Sequence, residues 1–112
     1  MIRRDYDAAF HEVDLIAGPV TTSVAFRLGE KVDDPLAMYL VDLYTVSANL
    51  AGIGGIAFPC GASKEGLPIG LQLQGPPFAE EKLLQAAHMF QQATDWHRRL
   101  PPMVAEAGRT PA

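Results

Sequence analysis

Few side chains in this sequence have a type and a spacing that could do chemistry. The most distinctive is Asp42, which interrupts the apolar sequence from Met38 to Val46 and, on a helix, aligns with Tyr39, Thr45 and Asn49 as a narrow polar stripe. Such a stripe is ordinarily the solvated back of an amphipathic helix, and the residues by themselves favour that bland reading. For nucleophilic catalysis the chain offers Ser23, Ser47 and Ser63 with Lys31, Lys64 and Lys82, none of them within a Gly/Ser-rich stretch. A serine nucleophile needs a base within hydrogen-bond reach, and no serine here has an evident one, so no catalytic residue is assigned. Cys60 follows a short apolar run and could act with His88, yet nothing brings the two together, and a small buried thiol is the commoner role. His11, His88 and His97 show no metal-ligand spacing; neither a metal nor a cofactor is expected. Gln72 and Gln74 alternate with Leu71 and Leu73, which reads as simple strand patterning, and Trp96 reads as the anchor of the last helix.

The elements that must position these residues follow from periodicity and punctuation. Asp33, or Asp34 with Pro35 at the first helical position, starts the helix that carries Asp42. Leu36, Tyr39, Leu40, Leu43, Val46 and Leu50 form its apolar stripe, and Gly52 closes it. From Asn49 to Gly75 the chain leaves that helix, crosses Gly52, Gly54 and Gly55, and enters the apolar run Ile56-Ala57-Phe58. It turns through Pro59 to Gly66 and returns as Leu67-Pro68-Ile69-Gly70-Leu71-Gln72-Leu73-Gln74-Gly75, the pattern of a hairpin that is buried or close to a ligand. Upstream, Ile2, Tyr6, Ala9, Phe10 and Val13 define an amphipathic helix with no N-cap ahead of it, which hints at a sequence starting inside a longer helix.

Asp14 to Val20 is a strand stopped by Gly18-Pro19, and Thr21 to Lys31 reads as loop. After Pro76-Pro77 a third helix runs from about Ala79 to His97, with Glu80 and Glu81 at its start and basic residues after its end. Leu83, Leu84, Ala87, Phe90 and Ala93 are expected to cover the sheet, and residues 103–112 read as a disordered tail. Strand, helix and strand make a βαβ unit with parallel strands, to which the hairpin adds an antiparallel partner. The expected fold is therefore α/β, with about three strands of a mixed sheet and three helices, residues 1–102 forming part of a domain.

Composition narrows the function classes. With 112 residues, 48% of them hydrophobic, the chain has material for a core, and its net charge of −4 without an extended basic cluster argues against direct nucleic-acid binding. One cysteine excludes an intrachain disulfide framework and suits a reducing cytoplasm. No apolar run approaches the length of a membrane span, so no membrane association is expected. Three strands with two open edges are a narrow sheet, which points to a piece of a larger one.

The residues also carry a resemblance. Asp14-Leu15-Ile16 with Pro19, Gly29-Glu30, Asp34-Pro35, Met38-Tyr39, Asp42, Thr45, Asn49-Leu50-Ala51-Gly52, Pro59-Cys60-Gly61 and Gly66-Leu67-Pro68-Ile69-Gly70-Leu71-Gln72-Leu73 together resemble the C-terminal quarter of the amidase signature family. Within it they are most similar to the A subunits of glutamyl-tRNA(Gln)/aspartyl-tRNA(Asn) amidotransferases. The resemblance extends from about Ile2 to Pro101, and its combination is specific, although GLPIGLQL alone marks only the wider family. It implies an α/β/α fold around a large mixed sheet and amide hydrolysis by a Ser, cis-Ser, Lys triad that lies upstream of the matched region. It implies glutamine or another small amide as substrate, ammonia passed to amidotransferase partner subunits, and a cytoplasmic setting.

It also reverses the reading of Asp42, because an aspartate at this place in the Met-Tyr-x-x-Asp-x-x-Thr pattern helps bind the glutamine substrate. A carboxylate suits an α-ammonium group through charge-assisted hydrogen bonds. One departure is Gly54, where the family usually has proline, and the pocket near it is expected to differ. Two rivals remain: a general amidase for small or aryl amides, in which Asp42 would have no ammonium to hold, and a free-standing, non-catalytic interaction module binding a partner through its open sheet edge.

Overall fold

Asp34 starts the central helix. Its Oδ1 accepts hydrogen bonds from the backbone N–H groups of Leu36 (3.1 Å) and Ala37 (3.2 Å), and Pro35 fills the first helical position, where its missing N–H costs nothing. In the computed structural model, which describes residues 2–30 and 34–104, helix α2 spans Pro35–Val41 and does not run on to Gly52. The chain turns over residues 42–45 and resumes as α3, Val46–Ala51, which Gly52 closes with φ 70°. The one helix expected here is thus two. The physical reason lies in Asp42 and Thr45: the Thr45 hydroxyl bonds to the carboxylate and to the backbone carbonyl of Asp42, a local alternative to continuing the helix. The expected apolar stripe is no core within this chain either: Leu36 is 66% exposed and Leu50 69%.

Helix α1, Ile2–Glu12, leads into strand β1, Ile16–Pro19. The hairpin consists of β2, Gly54–Ala62, and β3, Pro68–Gly75. Its turn is closed by Ser63, whose N–H donates to the Leu67 carbonyl (2.8 Å) and whose hydroxyl accepts from the Leu67 N–H (3.2 Å), with Gly66 at φ 85°. The strand runs past Pro59 because a bulge at Cys60 absorbs one residue between the Pro59–Gly70 and Gly61–Ile69 pairs.

The α/β class and the three strands are as expected, but the sheet is not mixed. Its order is β1-β3-β2, and both pairings are antiparallel. The strands β1 and β2 do run the same way, as a helical crossover requires, yet β3 inserts between them. The short β1 ends on Pro19 and β2 contains Pro59, and proline is tolerated on edge strands, where an N–H can be spared.

The register sorts the sheet into two faces. Gly54, Ile56 and Phe58 share one face with Leu71, Leu73 and Gly75, and helix α4, Glu80–Ala93, covers it. Leu83 packs where Gly54 and Gly75 leave room, a Cβ at Gly75 coming within 3.3 Å of its side chain, and the Phe90 ring meets Phe58 at a tilt, centroids 5.1 Å apart. Among the described residues Phe58, Leu83 and Ala87, with Ala51 of α3, are the buried hydrophobic ones. Leu84 stays exposed, and α4 ends at Ala93, short of the expected His97. A 3-10 turn, Trp96–Arg98, follows, with the Arg99 guanidinium 4.1 Å from the Trp96 ring centroid. Met103 and Val104 belong to a helical turn; the rest of the expected tail, 105–112, lies outside the described residues.

The second face carries Ile16 and Gly18 of β1, Gly55 and Ala57 of β2, and Gln72 and Gln74 of β3. Tyr6 of α1, Tyr44 and Ser47 lie over it, enclosing a cleft of about 290 Å³. Helix α1 is tied to α3 by a Tyr6–Ser47 hydroxyl bond (2.8 Å) and by the Arg3 guanidinium, which donates to the Ala51 carbonyl (2.9 Å) at the negative end of α3.

Candidate substrate site at the helix break

Asp42 is the C-cap of α2, and its backbone makes the turn bonds that link α2 to α3. Its N–H donates to the Tyr39 carbonyl (3.1 Å), while its own carbonyl accepts from the N–H groups of Thr45 (3.1 Å) and Val46 (3.0 Å). The side chain is exposed, and one carboxylate oxygen, Oδ1, accepts from the Thr45 hydroxyl. Thr45 is the N-cap of α3 but makes no side-chain capping bond, because its hydroxyl is committed to Asp42. Asn49 donates back to the Thr45 carbonyl (3.3 Å). The stripe of Asp42, Thr45 and Asn49 read from the sequence is therefore a connected polar cluster, with Tyr39 apart from it on α2, 60% exposed. A fixed carboxylate with solvent on its outer side can accept hydrogen bonds from an ammonium group.

Asp42 sits between two clefts and lines neither. Its neighbour Val41 borders the larger, about 490 Å³, with Pro19, the loop of residues 21–26 and the start of β3. Leu43 and Tyr44 border the 290 Å³ cleft over the glutamine face. There the Tyr44 carbonyl accepts from Gln72 Nε2 (2.9 Å) and Gln74 Nε2 (3.5 Å). Sequence reasoning passed over this pair as strand patterning. The signal was available: two amides on alternate positions of a strand inside a hairpin expected to be buried need partners, and Gln74 is only 5% exposed.

The remaining candidates are dispersed. The Ser23 hydroxyl donates to the Val24 carbonyl (3.1 Å), Ser47 bonds to Tyr6, and Ser63 serves the hairpin turn. Lys82 pairs with Asp14 at 3.5 Å, and Lys31 lies outside the described residues. Cys60 is the half-buried extra residue of the β2 bulge, whereas exposed His88 borders a polar cleft with Gln91, Gln92 and His97. Among the described residues no group of three or more His, Cys, Asp or Glu could hold a metal ion, and no helix is long and apolar enough to cross a membrane.

This arrangement, an antiparallel hairpin sheet with helices on both faces and a broken crossover helix, is of the α/β class, and solved structures place it among amidase-type folds. The chain superposes on the structure of the A subunit of glutamyl-tRNA(Gln) amidotransferase from Thermotoga maritima with a TM-score of 0.68 at 38% identity, over 72% of this chain and 18% of that one. On 6-aminohexanoate cyclic dimer hydrolase the TM-score is 0.73 at 28% identity, over 91% of this chain and 23% of that one. Residues 1–84 match the family model described as Amidase, and the chain belongs to that family. Curated relatives named as the A subunit of glutamyl-tRNA(Gln) amidotransferase are 59% identical in Rhodopirellula baltica, over 91% of this chain and 20% of the relative, and 57% identical in Desulfatibacillum aliphaticivorans, over 90% and 21%. The chain thus spans about a fifth of the length of the curated relatives it matches.

Proposed function

We propose that this chain acts as the C-terminal segment of an amidase resembling the A subunit of a glutamine-dependent tRNA amidotransferase. In that role it contributes fold and part of the substrate pocket, while the Ser, cis-Ser, Lys triad is supplied from elsewhere in the complete enzyme. Residues 1–102 are then a partial domain. The complete enzyme hydrolyses the amide of glutamine and delivers ammonia, in the cytoplasm, to partner subunits that amidate Glu-tRNA(Gln) or Asp-tRNA(Asn). This segment itself contacts neither nucleic acid nor membrane. The observation that carries the reading is the broken helix, which leaves the Asp42 carboxylate exposed while Thr45 gives up its capping role to hold it. Asp42 accepts the substrate α-ammonium.

A second reading, an amidase for small amides without an ammonium group, is favoured by the fuller coverage of the cyclic dimer hydrolase structure. Substitution of Asp42 separates the two. The vehicle is the Rhodopirellula baltica amidotransferase, its A subunit carrying residues 1–102 in place of the native C-terminal segment and assembled with its partners. There Asp42→Asn keeps the shape and removes a charge-assisted interaction of roughly 1.5 to 3 kcal/mol, so glutamine-driven amidation should fall about ten- to a hundredfold. Amidation driven by free ammonia, which bypasses glutamine binding, should hold. Unchanged glutamine dependence, or equal loss with both nitrogen donors, refutes the role of Asp42.

A further inference from the structure

The two glutamines of β3 converge on one backbone oxygen 28 and 30 residues away in sequence, the carbonyl of Tyr44. That carbonyl lies inside the turn between α2 and α3 and ahead of the Thr45 N-cap, so it is not among the acceptors that α3 uses for its own helix. A carbonyl oxygen has two lone pairs, and here two amide N–H donors meet it. The strand they come from is the central one, paired on both sides. Small neighbours on that face leave space for the Gln72 side chain to lie toward the turn, Gly18 and Ala57 flanking it in register, while Gln74 lies between Gly55 and Ile16.

From this convergence we infer that Gln72 and Gln74 are positioning residues for substrate ammonium recognition. Holding the Tyr44 carbonyl against the central strand fixes the turn of residues 42–45, and with it the direction in which Asp42 presents its carboxylate. Neither glutamine touches substrate in this scheme. Thr45 sets the rotation of the carboxylate, and the glutamine pair sets where the whole turn sits above the sheet. The inference rests on the reading of Asp42 as the ammonium acceptor, and its specific content is that the hairpin and the helix break form one recognition unit.

The test uses the exchanged, fully assembled enzyme. Gln72→Met keeps side-chain length and volume close to native and removes the donor; Gln74→Met does the same at the more buried position and at the longer bond. The expected result is a rise of roughly threefold to tenfold in KM for glutamine for Gln72→Met and a smaller rise for Gln74→Met. The rate with free ammonia should be unchanged, and Gln72→Met should add little once Asp42→Asn is present, because both act on one contact. If Asp42→Asn raises the KM and Gln72→Met does not, the positioning role is overturned while the reading of Asp42 stands. If neither raises it, both fall. Loss of glutamine- and ammonia-driven rates together, or full additivity with Asp42→Asn, overturns the inference by showing that the pair only ties the crossover to the sheet.

Discussion

In the proposed site Asp42 and Thr45 divide one task. The carboxylate supplies the charge, and the hydroxyl that would ordinarily cap α3 holds that carboxylate instead. Thr45→Val keeps the β-branched shape and removes the donor, so the carboxylate loses its fixed orientation but not its charge. In the exchanged enzyme the expected effect is a rise of roughly threefold to tenfold in KM for glutamine, smaller than that of Asp42→Asn. Thr45→Ser should restore most of it. A Thr45→Ser enzyme as impaired as Thr45→Val would show that the methyl group, and so packing, is what matters. The sequence made Asp42 conspicuous by its polarity in an apolar run, but it could not give the bond to Thr45, because on an unbroken helix the same spacing also describes an idle solvated stripe.

At the level of elements, Gly52 governs where the crossover ends and the hairpin begins. Its φ of 70° is a left-handed conformation, and a Cβ there would come within 3.4 Å of the Arg3 guanidinium that caps the Ala51 carbonyl. Gly52→Ala should lower the protection of the α3 amides, measured by hydrogen exchange in the assembled enzyme, by about 1 to 2 kcal/mol. Unchanged protection would mean that the α3 terminus is held by something other than this cap. Punctuation of this kind was legible at Asp34-Pro35 and Gly52, which mark element ends as the residues suggest, whereas the hairpin turn expected over Pro59 to Gly66 is shorter, because β2 continues through the bulge at Cys60 to Ala62 and the chain turns only over Ser63 to Gly66.

Topology and helix continuity were less legible. A strand, crossover and strand pattern fixes the direction of β1 relative to β2 but does not forbid a third strand between them, and β3 takes that place. The break at residues 42–45 was hidden because the apolar period continues across it through Leu43 and Val46. The apolar stripe misled about the core for another reason: periodicity says which face is apolar and nothing about what covers it.

For the whole molecule the surface area is the informative quantity. The chain exposes 8458 Å², against about 6000 Å² for a compact monomer of its mass. Its radius of gyration is 16.8 Å, against about 13 Å for a closed domain of this length. Among the described residues no large side chain is completely buried, and Leu36, Tyr39, Leu50, Leu84 and Met89 stand well exposed. Excess surface is what the proposed partial domain would show, and the proposal leads to two expectations for the isolated chain. It should bind ANS and associate as concentration rises, and it should release no ammonia from glutamine or from a chromogenic anilide above a matched blank. A sharp thermal transition from a clean monomer would instead favour the free-standing interaction module.

Service in a glutamine-dependent amidotransferase is decided by the ratio of glutamine-driven to ammonia-driven amidation in the Rhodopirellula baltica enzyme carrying residues 1–102 in place of its own C-terminal segment. A segment with this role should leave the ratio close to that of the native enzyme. An exchanged enzyme that assembles and works with ammonia but no longer uses glutamine would contradict the role.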